Sequence, residues 1–328
     1  MGSRLAGKIA VITGASRGLG QYCSVAYARE GATVVIAART EQQTDPRMPG
    51  TIHETARMVE EVGGQALPVV CNVADPSSVT AMVDAVLARY GRIDILMTNA
   101  AISVPGNVSL VTSRHLELEF KVNVFGPFHC IRAALPSMVE RKSGNIITIS
   151  SSAANPGNES HYGAGKRALE AMTVALANEQ RENGIAVNCL KPDGGIETPG
   201  IRYIIDRPEG PPSRDDNDFN FPSPASYVEA AVLLAMQTTE TCTGGVFHDS
   251  EAIDRDGIAR AVADGPFFRA WPGGLYPGAQ GFDIDSTVYY PFSIDTSKAL
   301  MAELGFKETD GNGILKWPSG PLAGQPLL

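Results

Sequence analysis

No stretch of this chain carries a long basic run, and its formal net charge is −9 with a pI of about 5.1. That balance excludes the electrostatic footprint of a nucleic-acid-binding protein. No apolar run approaches the length of a membrane span. No two of the five histidines stand at ligand spacing, so no metal is expected. The five cysteines (Cys23, Cys71, Cys130, Cys189 and Cys242) are scattered and form no C-x-x-C motif. They read as small buried apolar residues in a reducing compartment. A secretory signal is not expected either. The first apolar run, Ile9 to Ile12, is short and leads into a glycine-rich turn, which points to a cytoplasmic location. Met1-Gly2-Ser3 hints at myristoylation, but Ala6 stands where Ser or Thr is wanted.

The 328 residues, 43% of them hydrophobic, allow one large domain or a domain with an appendage. Short β-branched runs predict strands at Lys8–Ile12, Thr33–Ala37, Leu67–Cys71, Ile93–Thr98, Asn145–Ser150 and Ile185–Leu190. Helical patterns lie between them, near 19–30, 51–62, 76–90, 112–140 and 161–183. Strands apolar on both faces and separated by helices predict a parallel sheet covered on both sides. Right-handed crossovers make it doubly wound, with ligands at the carboxyl ends of the strands.

Two segments interrupt the alternation. Thr40–Gly50 is polar and carries Pro46 and Pro49. Pro199–Pro224 is proline-rich and acidic, follows the sixth strand, and reads as a lid over the crevice rather than a solvated connector. Beyond about residue 249 the pattern changes. Phe267, Phe268, Trp271, Tyr276, Tyr289 and Phe292 sit among glycines and prolines, a composition too aromatic for ordinary disorder. A short helix is expected at Thr296–Leu304, with Gly305 as its stop.

The first strand runs into Thr13-Gly14-Ala15-Ser16-Arg17-Gly18-Leu19-Gly20. Glycines here permit a tight turn and let a pyrophosphate approach the next helix N-terminus, which predicts a dinucleotide site. An NAD site commonly carries an acid at the end of the second strand. This chain has Ala37-Ala38-Arg39 instead. Arg39, with Arg17 as a second cation, suits a 2′-phosphate and favours NADP(H) over NAD(H). Tyr162 and Lys166 stand four apart on one helical face. A phenol has a free pKa of about 10, and a cation within roughly 4–6 Å favours its phenolate. Such a tyrosine can give a proton to a developing alkoxide or take one from an alcohol.

These motifs, with Asn99-Ala100-Ala101, Asn123, Ser151 and Tyr162-x-x-x-Lys166, resemble the short-chain dehydrogenase/reductase family over roughly residues 5–250. The resemblance implies a Rossmann-type α/β fold, a doubly wound parallel sheet in three α/β/α layers. It divides the chain into a catalytic domain, 1–250, and a C-terminal extension, 251–328, packed on that domain or on a neighbouring subunit. It implies Tyr162 as general acid-base and Lys166 as the cation that lowers its pKa and binds the nicotinamide ribose. Ser151 polarises the substrate carbonyl; among Ser150, Ser151 and Ser152 it aligns best with the strand end. Asn123 holds a water in a proton relay. The implied cofactor contacts are Gly14, Ser16, Arg17, Gly18, Leu19, Gly20, Arg39, Asn72, Val73, Asn99, Tyr162, Lys166, Pro192, Gly194 and Thr198, the last against the carboxamide. His161 is expected at the pocket rim.

The chain also departs from the family pattern. Asn72 replaces the usual aspartate near the adenine, its amide oxygen still able to accept a hydrogen bond. Ala101 replaces a glycine, and Pro192-Asp193-Gly194-Gly195 replaces a Pro-Gly pair. The expected activity is an NADP(H)-dependent interconversion of a ketone or aldehyde and an alcohol, on a bulky apolar substrate. Epimerisation or dehydration with a retained cofactor, or cofactor binding without catalysis, are the alternatives. The expected assembly is a homodimer or homotetramer built on the helices near 112–140 and 161–183.

Overall fold

Six apolar runs form strands where the sequence predicts them: β1 (Ile9–Thr13), β2 (Thr33–Ala38), β3 (Gln65–Val70), β4 (Ile95–Thr98), β5 (Gly144–Ile149) and β6 (Ile185–Lys191). A seventh, β7 (Val246–His248), has three residues and left no readable pattern. The computed structural model describes residues 3–104, 106–158, 160–205 and 223–253, and the backbone of 307–308 and 315–316. The strands lie in the order β3-β2-β1-β4-β5-β6-β7, each pair parallel. β1, β4 and β6 are buried at every position, as a sheet covered on both faces requires. β3 is an edge strand, which is why it tolerates Pro68.

The helices are α1 (Gly18–Arg29), α2 (Ile52–Glu61), α3 (Pro76–Tyr90), α4 (Ser113–Phe120), α5 (Gly126–Glu140), α6 (His161–Gln180), α7 (Pro199–Ile205), α8 (Ala225–Ala235) and α9 (Asp249–Ile253). Side-chain oxygens cap the starts of α2, α3, α4 and α6. Thr51, Asp75, Thr112 and Ser160 accept from the backbone N–H of Glu54, Ser77, His115 and Gly163. Each such cap is worth about 1 kcal/mol.

Two expectations change. The single helix expected over 112–140 is broken by a π-helical turn, Lys121–Phe125, that carries Asn123. Pro127 lacks the N–H that would bond the Asn123 carbonyl in an α-helix, and π-turns of this kind recur at functional sites. The irregular segment expected from Pro199 opens as a helix, α7. Helix α8 was also unread, because it is apolar nearly all round and offers no stripe. It is held to the sheet layer by polar contacts. The Tyr27 hydroxyl donates to the Ala231 carbonyl at 2.9 Å, and Asn145 Nδ2 donates to the carbonyls of Leu234 and Gln237, both at 2.8 Å.

The chain divides into two units, Met1–Asp264 and Gly265–Leu328. The second contains an antiparallel pair, β8 (Lys307–Glu308) and β9 (Leu315–Lys316). The aromatic segment 267–292 and the helix expected at Thr296–Leu304 lie outside the described residues. Among the described residues no helix is long and apolar enough to cross a membrane. Strand order reverses between β1 and β4, which opens a crevice at their carboxyl ends.

Candidate active site

The crevice is built from two turns locked together. Gly14 follows β1 at φ +65°, and a Cβ there would stand 2.6 Å from the Ala100 Cα in the turn after β4. Only glycine permits both that angle and that approach. Asn99 Nδ2 donates to the carbonyls of Thr13 and Gly14 at 2.8 and 3.3 Å, and the Ala100 N–H donates to Thr13 Oγ1 at 3.1 Å. Gly18 brings the start of α1 against Thr198, whose methyl would be 3.2 Å from an added Cβ. Thr198 Oγ1 accepts from the Ile201 N–H and so starts α7 over the crevice. The resulting cavity is about 520 Å³, within the range of small-molecule sites.

Every cofactor position implied by the resemblance lines this cavity except Gly20. A Cβ at Gly20 would stand 2.5 Å from Asn99 Nδ2 and 2.7 Å from the Gly14 carbonyl. Gly20 therefore lets the start of α1 pack closely on the turn after β1 and on Asn99. Arg17 lines the cavity and is also tied to the neighbouring loop. Its Nε and Nη2 donate to the carbonyls of Pro49 and Gly50 at 2.9 and 2.8 Å, which tethers the Thr40–Gly50 loop to the glycine turn. Burial first, then the charge of Arg39, pushes its pKa down. Arg39 remains exposed at the cavity edge. The Asn72 oxygen is already occupied, accepting from the Ala74 N–H at 3.2 Å. Farther along the loop, the Arg47 guanidinium lies 4.9 Å from the Tyr203 ring centre of α7.

At the other end, Ser151, Tyr162 and Lys166 line the cavity together. All three neighbouring serines line the cavity. Ser150 Oγ donates to Glu170 Oε1 at 2.6 Å, and the Ser152 carbonyl accepts from Asn158 Nδ2 at 3.0 Å. Ser151 is the serine whose side chain favours the ionised form of the Tyr162 phenol. The Lys166 ammonium sits 5.7 Å from the Tyr162 ring centre and donates to the Ile149 carbonyl at 2.7 Å.

The expectation that Lys166 lowers the Tyr162 pKa is not met by the protein's own groups. Burial pushes the phenol up to about 12, against a smaller downward pull from Ser151. Burial pushes Lys166 down to about 8. Asn123 stands behind the cavity wall at 1% exposure. Its Nδ2 donates to the Ile102 carbonyl at 2.8 Å and its Oδ1 accepts from the Ile102 N–H at 2.9 Å.

His161 is not at the rim, as expected, but buried: Nδ1 is 2.6 Å from Glu119 Oε2 and Nε2 is 3.1 Å from the Gly106 carbonyl. Glu119 went unread in the sequence, although its place four residues before Asn123 puts both on one helical face. Lys191 also went unread; its ammonium reaches Asn155 Oδ1 at 2.8 Å and Glu170 at 3.3 Å, bracing the ends of β5 and β6. Among the described residues no cluster of three His, Cys, Asp or Glu could hold a metal ion.

The model of the short chain dehydrogenase family matches residues 8–207. Human hydroxysteroid dehydrogenase-like protein 2 is 37% identical over 206 residues, 61% of this chain and 49% of the relative. The chain thus spans about half the length of that relative. The 3-oxoacyl-(acyl-carrier-protein) reductase FabG of Thermotoga maritima is 29% identical over 246 residues, 74% of this chain and 96% of the relative. Among solved structures, a metagenomic short-chain oxidoreductase in complex with NADP superposes with a TM-score of 0.60 at 27% identity, covering 75% of this chain and 98% of its own.

Proposed function

The chain belongs to the short-chain dehydrogenase family, and from that premise we propose that it is an NADP(H)-dependent oxidoreductase that interconverts a ketone or aldehyde and an alcohol. The observation that carries this reading is the convergence of Ser151, Tyr162 and Lys166 on one end of a cavity whose other end is a glycine turn. The residues fit a dinucleotide. Gly14 and Gly18 leave backbone where side chains would clash with the opposite turn, and Arg39 stands free to meet a 2′-phosphate.

When bound, the cofactor supplies or accepts the hydride at the carbonyl carbon. The chain's own residues handle the proton. Ser151 donates a hydrogen bond to the carbonyl oxygen and steadies the charge that develops there. A buried phenol with a pKa of about 12 stays protonated at neutral pH, so Tyr162 holds the proton an alkoxide needs. Giving it up leaves a phenolate, and the Lys166 ammonium beside the ring stabilises that anion. The Asn123 amide is spent on Ile102, so its part in a relay rests on its backbone carbonyl. Ile102, Ile196 and Ile201 give the cavity an apolar wall, which supports a bulky apolar carbonyl substrate. The relatives' names, a hydroxysteroid dehydrogenase-like protein and a 3-oxoacyl reductase, lean the same way.

The test is Tyr162→Phe assayed with NADPH and with NADH on cyclohexanone, acetophenone and a 3-oxoacyl thioester. Turnover is expected to fall by at least about 10²-fold while NADPH affinity stays within about twofold. A variant that keeps its rate sinks the mechanism. NADPH bound through turnover with no net consumption points to epimerisation or dehydration instead. Binding without turnover on any substrate points to a non-catalytic role.

A further inference from the structure

The peptide that leaves β4 toward the cavity has no strand beside it; side chains hold it instead. Asn123 takes both backbone groups of Ile102. Glu119 Oε1 accepts from the Val104 N–H at 3.0 Å, and His161 Nε2 faces the Gly106 carbonyl at 3.1 Å. Ile102 and Ser103, between these clamps, line the cavity. Glu119 and His161 are themselves joined, Oε2 to Nδ1, at 2.6 Å. Glu119 is 1% exposed and His161 6%.

The protonation state follows from the acceptors. A neutral imidazole has one N–H and one bare nitrogen. Here both nitrogens face oxygens that can only accept, a carboxylate and a carbonyl. With Glu119 ionised, only the doubly protonated ring satisfies both; a ring with a bare Nδ1 requires Glu119 to carry the proton. A carboxylate this deeply buried needs a compensating charge, and the imidazolium is the cation in contact with it. On α4 and the π-turn the other charged groups, Arg114, His115, Glu117 and Lys121, are exposed. From α6 the titratable groups nearest the pair are Tyr162, the next residue after His161, and Lys166; both feel the Glu119 charge.

We propose that Glu119 and His161 form a buried carboxylate–imidazolium pair that fixes Val104 and Gly106 and so anchors the segment whose preceding residues, Ile102 and Ser103, line the cavity. Both are positioning residues. They act by holding that segment and by keeping an uncompensated anion away from Tyr162. The functional half of this inference rests on the reading of Tyr162 as proton carrier; the structural half does not.

Two measurements on the whole protein need no substrate. Nitrogen NMR of labelled histidine should show both His161 ring nitrogens protonated near about pH 7, assigned by loss of the signals in His161→Gln. Amide hydrogen exchange at Val104 should speed up by about tenfold or more in Glu119→Ala, with the amides of β6 unchanged. One bare ring nitrogen in the wild type overturns the pair even if the variants fail to fold. Unchanged exchange at Val104 overturns the clamp.

The functional half is read from Glu119→Gln and His161→Gln on the ketone panel. Both should lose about tenfold in kcat with NADPH affinity unchanged, and their pH profiles should move in opposite directions. Removing the anion shifts the Tyr162 limb down; removing the cation shifts it up. Profiles that stay put or move together overturn this half while Tyr162→Phe remains inactive. A Tyr162→Phe variant that keeps its rate overturns the reaction itself.

Discussion

Lys166 is a side chain whose burial works against the fold. It is 2% exposed, and desolvation lowers its pKa from an ordinary 10.5 to about 8. Folding therefore favours the neutral amine, and the sign follows. Below about pH 8 the lysine is charged in both states and the folded state bears the desolvation cost in full. As pH rises from about 8 to about 10.5 the folded form loses its proton first and the cost fades. Lys166→Met should remove that cost. A gain on the order of 1–3 kcal/mol is expected near neutral pH, shrinking above about pH 8, together with loss of turnover. Thermal unfolding across that pH range checks it. A variant less stable than the wild type at neutral pH would show that the bond to the Ile149 carbonyl outweighs the desolvation. At this scale the sequence singled out Tyr162 and Lys166 by their spacing together with the glycine turn, Asn123 and Ser151. It could not say that Arg17 bonds the carbonyls of Pro49 and Gly50, because those contacts lie 32 and 33 residues away along the chain.

At the level of elements, the site depends on how closely two turns approach. Gly14 at the end of β1 and Ala100 at the end of β4 touch backbone to backbone. Gly14→Ala would need a left-handed backbone angle and would push a methyl into the Ala100 Cα. A loss of roughly 2–4 kcal/mol in urea unfolding is expected, with weaker NADPH binding measured by fluorescence titration. Gly91, which ends α3 at φ +72° with open space around a Cβ, is the control: alanine there should cost no more than about 1–2 kcal/mol. The strands and most helices were legible because burial on both faces writes a plain apolar run. The π-turn was not, since its cause is a proline four residues after Asn123 acting with a tertiary contact to Ile102. Helix α8 was hidden by the opposite fault, an apolar surface too even to show a period.

For the whole molecule, the surface of α4, the π-turn and α5 carries Leu118, Phe125 and Phe128 at 43%, 50% and 43% exposure. These lie on the helices from which the sequence led us to expect a homo-oligomer, and large exposed apolar side chains are typical of association surfaces. Phe125→Asp with Phe128→Asp is expected to shift the protein to monomer in light scattering, with the far-ultraviolet circular dichroism unchanged. An unaltered mass would place any assembly on another face.

The sequence alone determined the parallel α/β class, the glycine turn and the placing of Tyr162 and Lys166 on one helical face, because each depends on spacing along one or two adjacent elements. Tertiary structure decided that Ser150 turns to Glu170, that Arg17 bonds the carbonyls of Pro49 and Gly50, and that His161 is buried against Glu119 rather than set at a rim. Those outcomes depend on groups brought together from distant positions. The Tyr162 pKa belongs with them: residue types suggest a lysine that lowers it, whereas burial, a property only the packed chain has, raises it.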